Sequence, residues 1–168
     1  MLATGLIILG ILLRLAPHAP NFTPVAAIAL FSGAYLKKKY VLFIPLILMV
    51  ISDFIIGFHN VVIFTWGSFL LIALLGLWLK RHKSILGIIS TSLISSFLFY
   101  IISNFGVWLM GWYPHTLKGL ITCYVMALPF LRNFTFATLF YVAIFCGIYE
   151  SVAHFVKDTK LSKVLLTN

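Results

Sequence analysis

The sequence predicts an all-α membrane protein: a six-helix transmembrane bundle with an additional short re-entrant or surface helix before the last span. Three observations carry that expectation. Of 168 residues, 62% are hydrophobic and only 9% charged, against about 25% charged in an average soluble domain. Mean hydropathy is +1.13, so there is too little polar surface to face water. Apolar runs of helical length recur, separated by short polar or basic turns. Six spans of ~20 residues would use most of the chain, leaving one transmembrane domain over residues 1–168 with short loops.

The first apolar run covers residues 2–16 and stops at Pro17 and Pro20. No basic residue precedes it and Arg14 falls at its far end, so it reads as a retained helix and not a signal peptide. The second covers 23–36, with Thr23 able to cap it and Pro24 at the first helical position. The third runs over 40–57, the fourth over 61–79, and the fifth, 85–110, is long enough to tilt. The last covers 134–156. Between the fifth and the last lies a shorter apolar stretch, 116–131, broken by Pro129.

Charge sets the orientation. Twelve Lys and Arg against three acids give +9, and the positives cluster at Lys37–Lys39, at Lys80-Arg81-His82-Lys83 and from Lys157 to Lys163. Such clusters beside spans are what the positive-inside rule expects. No soluble part exists to present them to a nucleic acid, so no nucleic-acid partner is expected. With the clusters cytoplasmic, spans three and four form a hairpin whose outer turn is Phe58-His59-Asn60. Both termini then lie in the cytoplasm and residues 116–131 stay on the outer side without crossing. The location expected is the inner (cytoplasmic) membrane.

That topology places the scarce polar groups by depth, at 1.5 Å per helical residue. Arg14, His18 and Asn21 fall at the outer end of span one and its loop, His59 at the outer turn, and Arg132 and Asn133 at the outer entry to the last span. Asp53 falls in the outer half of span three, and Asn104 and Trp108 share a face of span five. An ionisable group within a span is costly and faces a bundle interior or cavity, so Asp53 needs a cation. Arg14 and Arg132 are its candidates. The pair either holds helices together or floors a pocket, and the two roles are compatible. A stripe of Ser96, Tyr100, Asn104 and Trp108 is either helix packing or a ligand face.

Other chemistry finds less support. His18, His59 and His115 share no metal-ligand spacing, so no metal and no cofactor is expected. Cys123 and Cys146 read as small buried hydrophobes. No Ser-His or paired-carboxylate spacing points to an enzyme. Two sequons, at Asn21 and Asn133, abut spans and read as helix caps. Ala26, Ala29 and Gly33 give span two a small-residue face, which serves either internal packing or docking of a partner subunit.

The stretch Pro24-Val-Ala-Ala-Ile-Ala-Leu-Phe-Ser-Gly-Ala34, the basic turn, a third helix ending in Ser52-Asp53 and Gly57, and Ala127-Leu128-Pro129-Phe130 before the last span together form a layout. It resembles the substrate-binding S components of energy-coupling-factor (ECF) vitamin transporters. The stretch from Arg14 to Gly33 is similar, far more specifically, to that of an uncharacterised family of small bacterial multi-pass membrane proteins. The S-component resemblance implies six helices, a pocket near the outer face, and docking through small residues onto an energising membrane module with ATPases. In such families the small-residue face lies on the first helix, whereas here it lies on span two.

The expectation for function is a membrane substrate-binding or uptake protein for a small, vitamin-like molecule. Arg14 and Arg132 would hold an anionic group, Asp53 a polar or cationic one, with His18, Asn21, His59 and Asn133 nearby. Asn104 would read hydrogen-bonding edges and Trp108 would stack on a ring. No phosphate-binding loop is present to supply energy from within the chain. The alternative is a structural subunit of a membrane or cell-envelope assembly.

Overall fold

The computed structural model describes residues 2–156, and the basic stretch from Lys157 to Lys163 lies outside them. Every regular element among the described residues is helical: α1 (Leu2–Leu15), α2 (Val25–Tyr35), α3 (Lys38–Ile56), α4 (Val62–Leu79), α5 (Ile85–Leu109), α6 (Leu117–Met126) and α7 (Leu128–Val156). Helix α3 has a slight break at Leu42, between Lys38–Val41 and Phe43–Ile56.

Four of these, α3, α4, α5 and α7, are long and apolar enough to cross a membrane, which makes this a membrane protein. Helix α1 has 14 residues and α2 has 11, roughly 21 and 16 Å at 1.5 Å per residue. Neither alone reaches the ~20 residues of a straight crossing.

Helix α2 occupies the centre. It packs against α1, α3, α4, α5 and α7, and all eleven of its residues are buried. Its sequence explains this: apolar on every side, it has no face to give to water, and its Ala and Gly positions let neighbours come close. The closest approach is to α4. A methyl group on Gly33 would run into the Ala73 carbonyl and Gly76, and one on Gly76 into the Leu30 carbonyl. Ala26 and Ala29 are 0% exposed. Of the two roles open to this face, internal packing is what the structure shows at Gly33, which meets Gly76 of the chain's own α4.

The last helix begins at Leu128, ahead of the residue 134 read from the sequence, and the short helix before it ends at Met126, not residue 131. Pro129 explains the difference. In the first turn of α7 its missing N–H has no helical partner to lose, so it starts a helix where it had been read as breaking one. Asn133 consequently lies inside α7 and is no cap. Pro24 itself stands at the N-cap of α2, with no side-chain cap hydrogen bond, which releases Thr23 from the capping role expected of it.

Short caps organise the remaining ends. Ser84 accepts from Gly87 N–H at 3.0 Å to start α5, and Thr116 accepts from Gly119 N–H at 3.1 Å to start α6. Gly57, at φ 110°, ends α3 in a conformation that other residues rarely adopt. The chain's alternating direction brings the last turns of α1, α3 and α5 and the first turns of α4 and α7 to one end. Lys37–Lys39, Lys80–Lys83 and Glu150 lie at the opposite, basic end.

Candidate functional site

The site is built on Asp53, in the last turn of α3. A carboxylate at a helix C-terminus opposes the helix dipole, and this one is only 1% exposed, so it needs strong donors. The structure supplies them from two other helices. Arg14 Nη2, in the last turn of α1, donates to Asp53 Oδ1 at 2.6 Å. Trp66 Nε1, in the second turn of α4, donates to Oδ2 at 2.7 Å. His59 Nε2, from the loop between α3 and α4, stands 4.0 Å from the same oxygen. The other arm of the guanidinium, Nη1, donates to Ser52 Oγ and lies 3.3 Å from Met49 Sδ. The Ser52 hydroxyl in turn donates to the Leu48 carbonyl at 2.7 Å.

This cluster borders a cavity of about 140 Å³ lined by Arg14, Asn21, Thr23, Met49, His59 and Thr65. Phe69, Phe99 and Phe134 form its apolar wall, with the last two rings stacked 4.3 Å apart. Behind that wall, a crevice of about 10 Å³ is bordered by Asn21, Tyr100 and Asn104, room for one water at most. Asn21 borders both, held at φ 61°, a left-handed conformation that asparagine tolerates better than most residues. His59 Nδ1 is buried with no hydrogen-bond partner among the described residues.

The structure therefore brings Arg14, Asp53, His59 and Asn21 together, with Asn104 on the neighbouring crevice. His18 folds back on the end of α1, its ring nitrogens 3.0 Å from the Arg14 carbonyl and 2.9 Å from that of Ala19. Asn133 donates to the Pro20 carbonyl at 3.1 Å, pinning the 17–22 loop against α7. Arg132 is exposed and forms no ion pair with Asp53, so of the two cations expected for that acid only Arg14 serves. The 38 residues between Arg14 and Asp53 hide which arginine that is.

Trp108 is turned elsewhere. Its Nε1 donates to the Pro114 carbonyl at 3.0 Å and its ring meets His115 edge-on at 5.2 Å. The α5 stripe holds α6 in place: Tyr100 donates to the Tyr124 carbonyl at 2.7 Å, and Tyr124 returns a bond to the Ile101 carbonyl at 2.8 Å. Asn104 Nδ2 bonds back to the Tyr100 carbonyl at 2.8 Å, while Cys123 Sγ lies 3.4 Å from the Asn104 carbonyl. Burial pushes the Cys123 thiol above its ordinary range.

Ser52, Trp66, Thr23 and Thr65 were missed by sequence reasoning. Trp66 left one signal, an indole N–H inside a span that must find an acceptor. Thr65 left none, since Thr in a helix commonly bonds back to its own backbone, as it does to Val62 at 3.0 Å, while Thr23 read only as a cap.

No curated protein and no solved structure matches this chain. The model of a family of unknown function (DUF6580) matches residues 1–161, nearly the whole length, and the chain belongs to that family.

Proposed function

We propose that this protein binds a small polar solute in the Arg14 cavity and serves its uptake across the cytoplasmic membrane. In this reading α1 and α2 complete six passages, both termini and the basic end face the cytoplasm, and the cavity opens toward the outside. The layout resembles the S components of ECF transporters, and an energising partner would drive release. The chain itself would bind and not catalyse.

One observation carries the reading: a cavity bordered by a guanidinium, an imidazole, an asparagine and two threonines. The size narrows the ligand. About 140 Å³ is close to a cavity that holds benzene and well below the ~300 Å³ at which ligand sites of drug size begin. The solute is accordingly a polar molecule of about six non-hydrogen atoms, smaller than the vitamin-like compound expected from the sequence. Arg14 and His59 favour a carboxylate or another small acceptor.

The structural-subunit reading draws on a different observation, that Asp53 is satisfied by the chain's own Arg14 and Trp66. Native mass spectrometry of the protein purified in mild detergent separates the two. The uptake reading expects a co-purified small molecule that is lost in Thr65→Leu, which fills the cavity while leaving the Arg14–Asp53 pair, and weakened in Asp53→Asn. A wild-type protein that is empty and gains no mass from added small carboxylates would overturn it.

A further inference from the structure

The basic end carries a larger hollow that the uptake reading does not use. It is a cleft of about 850 Å³ between α5 and α7, with Tyr35 of α2 at its base, within the ~300–1,000 Å³ range of ligand sites. Ile85 and Ile89 form one wall. The other is low because Ala143 and Gly147 occupy it one turn apart, and a methyl group on Gly147 would meet nothing within 4 Å. The cleft is therefore a consequence of two small residues beside two exposed isoleucines.

Its polar rim is Lys83 and Glu150. Lys83 Nζ stands 3.9 Å from the centroid of the Tyr35 ring and 3.8 Å from Glu150 Oε1, with side chains 39% and 56% exposed. Glu150 opposes an anion, but among the described residues it is the only acid at this end, against Lys37, Lys38, Lys39, Lys80, Arg81 and Lys83. The cleft's reach is also defined. From Glu150 back to Leu139 along α7 is about 16 Å at 1.5 Å per residue, half of the ~30 Å hydrocarbon core. It stops at the depth of one leaflet, where a partner helix would continue and an acyl chain would end.

We propose that this cleft binds an anionic phospholipid, its acyl chain against Ile85, Ile89, Ala143 and Gly147 and its phosphate at Lys83. Basic pockets between transmembrane helices recognise headgroups by this combination. The lipid would seal a gap that the helices leave open.

Native mass spectrometry in neutral detergent tests this, with phosphatidylglycerol and phosphatidylcholine of identical chains. Phosphatidylglycerol is expected to be retained about tenfold more, and Lys83→Ala to cut its retention about fivefold. Gly147→Leu, whose Cβ enters open space, is expected to reduce retention of both lipids. Lys38→Ala, away from the cleft, should change retention less than about twofold, and millimolar inorganic phosphate should not displace the lipid. Equal retention of the two lipids, or retention indifferent to Gly147→Leu, or full displacement by inorganic phosphate, would each overturn the proposal.

Discussion

Each end of the bundle holds an ion pair, and the two pairs differ in almost every physical respect. At the Arg14 end the acid is 1% exposed, the partners meet at 2.6 Å, and an indole and a serine complete the arrangement. At the basic end Lys83 and Glu150 stand 3.8 Å apart, both well exposed. Removing one partner of a buried pair strands a charge in a poor solvent, whereas water takes over for either partner of an exposed one. The same residue types therefore fix the helix arrangement at one end and leave the other free to meet headgroups.

The largest effect that tests this contrast is Arg14→Ala, expected to lower stability by about 3–5 kcal/mol, read as the thermal unfolding midpoint in mild detergent. Replacing both partners, Arg14→Met with Asp53→Leu, is expected to recover much of that loss; a double variant as unstable as the single would place the cost in packing. Trp66→Phe follows, at roughly 1.5–3 kcal/mol for a hydrogen bond to a charged group. If it is silent, Arg14 alone satisfies Asp53.

Gly76→Val probes the core shared by both ends. It forces a side chain into the Leu30 carbonyl and is expected to cost about 1–3 kcal/mol by overpacking, with α2 and α4 pushed apart in a cross-linking assay. Glu150→Gln is the small-effect partner of Arg14→Ala, at about 0–1 kcal/mol, and a large drop in its unfolding midpoint would erase the distinction between the ends. Smallest of all, Cys123 should react with a maleimide at neutral pH far more slowly than an exposed thiol, since burial raises its pKa and the thiolate is the nucleophile. Fast labelling would mean that α6 lifts away from α5.

The polar cluster was partly legible because a helix converts residue number into depth. Arg14, Asp53 and His59 could be assigned to one end from the positions of the apolar runs alone. What that conversion lacks is azimuth. It gave Arg14 and Arg132 equal claims on Asp53, and it turned Trp108 toward a ligand when the ring is engaged by Pro114 and His115. Pro129 was misjudged for a local reason, since proline breaks a helix or begins one according to a register only neighbouring residues can set.

The sequence by itself determined an all-helical membrane protein, read as six spans where four helices prove long and apolar enough to cross, with basic turns between the apolar runs and an acid that had to find a cation within the protein. Those properties follow from composition, periodicity and the cost of charge in hydrocarbon, all of which are local or additive. Only the tertiary structure decided that α2 sits at the centre with its small residues facing α4, that Arg14, Ser52 and Trp66 share the burden of Asp53, and that a cavity remains beside them. Those are contacts between residues dozens of positions apart, and they depend on how each helix is turned about its own axis, a quantity to which depth and hydropathy are blind.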